Sequence, residues 1–354
     1  MEIYILLVLI ILIGGIINSK NKNQNAKFIY CVTTGIILLI IMGFRHIDLG
    51  MTDTKVVYVP AFKNMIHLNF HDSINIYGKD FLFFFITKLI TFITHNENIW
   101  IMFVSIPLLY SIVKCIYKYS KIPSLSFILF LALNYYGMNF TLMRHSVALT
   151  FIILSYPYLK ERKLAKFIVY VLLASCFHST AIIFLIAYPL VKLKFGWKQI
   201  GVILGALGIA FIARNQILQI LSLVFNEGRF QNYTTGDSTT IGLIPFLINT
   251  VVLIVSYIFY KMQKEKDDEI NILLNLSAIS SVLLTLTVLI GEAYRIAMFF
   301  GIFNILLLPN ILQREKKMEN KYIIYIATYG IFILYFLFFS LNNAAIVPYK
   351  FFWQ

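Results

Sequence analysis

The chain has 354 residues, 60% of them hydrophobic and only 13% charged, with a mean hydropathy of +0.81. Soluble domains carry about 25% charged residues, so this composition excludes a single water-solvated globule and requires lipid as solvent for much of the surface. The net charge of +14 does not point to nucleic acid, because the basic residues sit in short clusters between apolar runs, the pattern of the positive-inside rule.

In chain order, the first apolar segment, Ile3 to Ile17, lacks a basic flank before it and an A-x-A-like site after it, and reads as a retained span. Further apolar runs follow at 28–44, 99–117, 122–142, 146–159, 164–178, 180–193, 199–213, 241–260, 270–290, 296–312 and 322–341. Each is expected to be a helix, since lipid leaves a lone segment no other way to pair its backbone. The expected fold is an all-α integral membrane protein: one polytopic domain over 1–354 with about 12 transmembrane helices. Cys31, Cys115 and Cys176 fall inside these runs without metal-ligand spacing and read as small core hydrophobes.

Twenty of the 30 Lys and Arg residues fall in alternate loops, around 20–27, 114–121, 160–166, 192–198, 261–266 and 314–321, which assigns that face to the cytoplasm. Both chain ends and the segment 45–98 are then outside. That long outer segment contains two semi-apolar stretches, Val56–Phe70 and Phe81–Thr94, expected as in-plane or re-entrant helices, with a crossing left open for the second. A second outer loop covers 214–240.

This topology separates the two basic residue types. Five of seven arginines lie outside (Arg45, Arg144, Arg214, Arg229 and Arg295), whereas 18 of 23 lysines lie inside, and all six histidines are outer. Charge sorting alone does not distinguish Arg from Lys, but the arginine fork binds phosphate and carboxylate bidentately. Each residue taken alone has an ordinary reading. Arg45 and Arg214 fit snorkelling, Glu292 and Arg295 fit a one-turn ion pair, and His178 fits packing. Several ionisable groups at one membrane level point instead to a functional site.

The residues at that level resemble a family. Phe44-Arg45, Gly50-Met51-Thr52-Asp53-Thr54, Tyr58 and Phe62 resemble the EpsG-type order FR, G-x-D-T, Tyr, Phe, loosened here and with the Tyr one position late. Met143-Arg144-His145-Ser146-Val147-Ala148 resembles L-R-Q-x-(I/L)-A, with His145 where Gln is usual. Ala174-Ser175-Cys176-Phe177-His178-Ser179-Thr180-Ala181 matches A-x-x-F-H-x-(S/T)-A, and Lys79-Asp80-Phe81 is similar to an E-P-x-F region. The resemblance covers roughly residues 30–300.

EpsG-type proteins are similar to Wzy polymerases of capsule, exopolysaccharide and O-antigen synthesis. The resemblance implies a GT-C-like architecture and transfer of a growing glycan from a polyprenyl-diphosphate carrier onto a lipid-linked oligosaccharide repeat unit at the outer face of the cell membrane. A flippase and a chain-length regulator are the implied partners. Such a reaction needs cations for the diphosphate, for which Arg45, Arg144 and Arg295 are the candidates. It needs a base or proton acceptor, for which His178, Asp53 and Glu292 are the candidates. Thr54, Tyr58, His145 and Arg229 are candidate substrate contacts. No metal or cofactor is expected. An O-antigen-ligase-like transferase and a flippase of the lipid-linked unit are the rival readings. A membrane O-acyltransferase ranks last, because the polar residues face outward.

In a cysteine-free background, single cysteines at Asp53, Glu227 and Tyr294 should react with an impermeant reagent on intact cells. Those at Lys163, Lys264 and Lys317 should react only after permeabilisation; the reverse pattern at position 53 would overturn the assignment of faces.

Overall fold

The computed structural model describes all residues except 22, 51–52, 78–80, 217–237, 264–266, 292 and 315–317. Among the described residues helices dominate, and the only extended pairing is an isolated antiparallel bridge between Arg45 and Phe351. Six helical segments are long and apolar enough to cross a membrane: Glu2–Lys20, Gln24–Gly43, Glu97–Tyr119, Leu243–Met262, Ala293–Leu312 and Tyr322–Asn343. The other expected runs are helical but shorter or more polar. Chain contacts divide the molecule into two compact units, Met1–Ile182 with Lys316–Gln354, and Ile183–Glu315.

The first unit begins with α1 (Glu2–Lys20) and α2 (Gln24–Gly43), the latter started by Asn23, whose side chain accepts from the Asn25 amide. The segment 45–98 then forms three short helices, α3 (Val59–His67), α4 (Phe70–Tyr77) and α5 (Phe81–Thr91). At 1.5 Å per residue, the 11 residues of α5 reach about 16 Å, roughly half of a 30 Å hydrocarbon core, so none of the three crosses alone.

The long helix α6 (Glu97–Tyr119) follows, capped by Asn96, which accepts from the amides of Asn98 and Ile99. The expected continuous helix over 122–142 is broken. It divides into α7 (Pro123–Ala132) and a single turn α8 (Tyr135–Met138), because Asn134 adopts the left-handed conformation (φ 64°) that asparagine tolerates better than most residues. The unit continues with α9 (Met143–Lys160) and α10 (Leu164–Phe177), which pack against each other along their lengths.

The C-terminal residues fold back over the loop that follows α2. Gly50 donates to Ala345 (2.9 Å), His46 to Lys350 (2.9 Å) and Phe352 to Phe44 (2.9 Å), each through its backbone amide. The Tyr4 hydroxyl donates to the Ile346 carbonyl at 3.2 Å, so both chain ends and the Arg45 loop lie at one end of this unit. At the other end Lys27 Nζ donates to the Ser120 carbonyl at 2.8 Å.

The second unit contains α11 (Ala187–Leu190), α12 (Trp197–Ile212), α13 (Ser238–Met262), α14 (Asp268–Thr285), α15 (Ala293–Gly301) and α16 (Asn304–Leu312). Side-chain amides and hydroxyls join these helices. Asn249 donates to the Ser281 hydroxyl (2.7 Å) and accepts from Asn304 (2.5 Å), and Ser280 donates to the Ala297 carbonyl (3.0 Å). Lipid offers no hydrophobic drive between helices, and small polar contacts of this kind supply part of the association.

One buried lysine ties α5 to α3. Lys88 on α5 is 4% exposed and donates to the carbonyls of Met65 and Leu68, both at 2.6 Å. These lie at the C-terminal end of α3, where helix carbonyls lack partners and a cation is favoured. Lys88→Met should lower the unfolding temperature in detergent, since charge-assisted hydrogen bonds are worth on the order of 1.5–3 kcal/mol each. An unchanged melting curve would show that Lys88 does not hold α3.

Candidate functional site

The site-level geometry starts from one carbonyl. Phe140 O accepts from Arg45 Nη2 at 2.7 Å and from Thr54 Oγ1 at 2.5 Å. The Arg45 guanidinium also lies over the Phe140 ring, 4.3 Å from its centroid, and the residue has no exposed surface. Its Nε and Nη1 have no hydrogen-bond partner among the described residues. Arg45, a candidate diphosphate ligand, is thus turned inward as a brace on the 135–141 turn. Gly50 sits against the same turn with φ 98°, and a Cβ there would meet Phe140 O at 3.1 Å and Thr141 Oγ1 at 2.9 Å. Only glycine combines that backbone angle with so close an approach.

The braced turn leads directly into α9, whose first turn carries Arg144 and His145. Arg144 is half-buried, and its Nε donates to the Tyr58 hydroxyl at 3.1 Å. The guanidinium stands 5.5 Å from the Tyr58 ring and 5.9 Å from that of Phe84, so an aromatic wall from two outer helical segments cradles it. Tyr58 is placed by a π-helical turn, Thr54–Tyr58, that runs into α3 without a break. Its wide i→i+5 repeat is a rare geometry that recurs at functional sites.

His145 is buried, and its ring meets that of His178 edge-to-face, with centroids 5.5 Å apart and planes at 75°. His178 is half-buried and caps α10 in an extended conformation (φ −152°), its amide donating to Ala174 O at 3.0 Å. The chain then resumes as a 3-10 helix, Ser179–Ile186. Phe177 beside it stacks on Phe151 of α9, 5.3 Å between centroids, which fixes the register in which the two histidines meet.

The first unit therefore assembles Tyr58, Arg144, His145 and His178, with Thr54 and Arg45 behind them. Asp53 immediately precedes the π-helical turn and is partly exposed. The other acid of that loop, Asp48, is engaged by Lys55 at 2.7 Å and lies 3.4 Å from His46. The Lys55 hydrogen bond holds the Asp48 carboxyl below its ordinary range. Arg295 is half-buried on α15 in the second unit. Glu292 and Arg229 lie outside the described residues, as do Met51, Thr52, Lys79 and Asp80 of the motif regions.

Sequence reasoning missed the carbonyl of Phe140 and the role of Lys88. The first has no signature, since any residue supplies a carbonyl. The second had one: a lone lysine inside the apolar run 81–94 needs a polar partner wherever that run is buried.

If the Arg144–Tyr58 contact positions the guanidinium, Tyr58→Phe and Arg144→Lys should be strongly non-additive. A double-mutant cycle on the protein's activity should give a coupling of about 1 kcal/mol, the usual net worth of such a hydrogen bond. Additive losses would mean that the two act separately.

No curated protein and no solved structure gives a significant match to the chain. The EpsG family model matches residues 27–351, nearly the whole length and every segment that forms this site. The chain belongs to the EpsG family, whose members are Wzy-type polymerases of polysaccharide.

Proposed function

We propose that this protein polymerises a polysaccharide at the outer face of the cell membrane. It transfers a growing glycan from a polyprenyl-diphosphate carrier onto a hydroxyl of a lipid-linked repeat unit. In that step the bond between the anomeric carbon and the diphosphate oxygen breaks, and its electron pair leaves with the diphosphate. A glycosidic bond forms to the acceptor oxygen, whose proton must be taken up.

The observation that carries this reading is the gathering of Tyr58, Arg144, His145 and His178 from three separated motif segments at one end of the first unit. Arg144 sits on the first turn of an 18-residue helix, where the positive end of the helix dipole adds to its charge. A departing diphosphate is stabilised most by cations already fixed before charge develops, and the Tyr58 contact together with the Phe84 ring fixes this one. His178 is the proposed acceptor of the hydroxyl proton, because it is half-buried at a helix end and meets the ring of His145, the residue next to Arg144, whereas His145 itself is buried. His145 then orients His178 through ring contact, and Arg45 and Thr54 act as positioning residues through Phe140 O. Asp53 is the alternative acceptor.

The test separates chemistry from packing. His178→Ala should insert at normal levels yet lose about 10²–10⁴ in rate, the range of general acid–base catalysis, with single repeat units accumulating on the lipid carrier. His178→Gln retains hydrogen bonding but is a poor base, and it should fail likewise. Full-length polymer from the Gln variant would make His178 a packing residue and pass the role to Asp53.

A further inference from the structure

The opposite end of the first unit carries a second constellation that the polymerase reading leaves unused. Between the last turns of α6 and α9 and the first turns of α10 lies a cavity of about 260 Å³. Lys114, Lys118 and Tyr119 line it from α6, Pro157, Tyr158 and Glu161 from the end of α9 and its turn, and Tyr170 from α10.

Charge is unbalanced there. Lys114 and Lys118 stand four residues apart on one helical face, where like charges repel; Glu161 lies near Lys118 but makes its ion pair with Lys163. The one acid, Glu161, is taken by Lys163 at 2.6 Å, on the turn where Arg162 adopts φ 59°. Tyrosines support the cations: Lys114 lies 5.4 Å from the Tyr110 ring, while Lys118 and Lys160 lie 5.3 and 5.7 Å from that of Tyr119. Tyr158 and Tyr170 stack at 5.2 Å across the rim. The deeper wall is apolar, with Cys115, Ile153 and Leu154.

We infer that this cavity binds the phosphate head group of an anionic glycerophospholipid. Lys114 and Lys118 would grip the phosphate, the tyrosine hydroxyls would meet the glycerol oxygens, and the acyl chains would run along the apolar wall. The volume suits this occupant, falling just below the roughly 300–1,000 Å³ that encloses a whole drug-sized ligand; a head group fits while its tails stay in the bilayer. Paired lysines with tyrosines at a helix end match the chemistry by which basic inter-helix pockets select anionic over zwitterionic lipids.

The full-length protein, purified in detergent, is titrated with phosphatidylglycerol or phosphatidylcholine, and retained lipid is counted by native mass spectrometry. Wild type should retain phosphatidylglycerol in preference to phosphatidylcholine. The double variant Lys114→Gln, Lys118→Gln should bind phosphatidylglycerol about tenfold or more weakly, as expected for two lost lysine–phosphate contacts. Lys114→Arg with Lys118→Arg should keep the binding, and Lys192→Gln with Lys194→Gln, in another basic loop, should leave it unchanged. Both cavity lysines are exposed, and an unaltered melting temperature confirms that the Gln variant is folded. Wild-type retention by the folded Gln variant, or equal retention of the two lipids by wild type, would overturn the site. Displacement of phosphatidylglycerol by millimolar glycerol phosphate would make the ligand a soluble phosphate ester and overturn the lipid assignment.

Discussion

The Phe140 carbonyl takes hydrogen bonds from Arg45 and Thr54, and most of what is distinctive about the first unit follows from it. The Arg45 contact spans 95 residues and the Thr54 contact 86. Together they bind the outer segment to the turn that opens α9. A carbonyl at the end of a one-turn helix has no partner of its own, and in a low-dielectric surrounding an unpaired one is costly. Satisfying it with a guanidinium and a hydroxyl fixes three things together: where α9 begins, how the π-helical turn 54–58 lies, and so where Tyr58 meets Arg144. Gly50 admits the close approach, and the C-terminal residues 345–352 hold the outer loop from behind.

How much of this was legible follows from what each feature costs the sequence. The helices were readable because repeated apolar runs of 14 to 21 residues are expensive anywhere but in lipid. The end at which Arg144, His145 and His178 meet was readable from the separation of arginine from lysine. The Phe177-His178-Ser179-Thr180 element stood out because a histidine and two hydroxyl residues interrupt an apolar run. The breaks within runs were not readable: Asn134 ends α7 through a backbone angle, and hydropathy carries no backbone angles. Nor was the inward turn of Arg45. Its position at the end of α2 fits a residue snorkelling to phosphate as well as one buried under Phe140, and the choice depends on a ring and a carbonyl nearly a hundred residues away. The Arg144–Tyr58 bond is illegible for the same reason, since both residues were candidates but nothing local links them.

Apart from the buried Lys88, several lysines and two arginines of the first unit are held in different surroundings. Lysines at 27, 114, 118 and 160 hold compact charges over tyrosine rings or at a helix-end carbonyl, positions that tolerate motion and water. Arginines 45 and 144 hold planar charges against aromatic faces and single acceptors, positions that fix an orientation. An ammonium is a point charge that tolerates movement, and a guanidinium is a planar fork that fixes its partners in one geometry.

That division also explains why the candidate site lies at helix ends. In the middle of a membrane helix every backbone donor is used internally, and an ionisable side chain there faces the full desolvation cost. Where α10 stops at His178 and α9 starts at Met143, the two antiparallel helices present opposite termini side by side. The positive end of α9 favours an anion and carries Arg144, while the extended backbone at His178 frees its side chain from the helical repeat. In this unit the interruptions at Thr54–Tyr58 and His178 place Tyr58 and His178, and the break at Asn134 opens the turn that leads into Arg144 and His145.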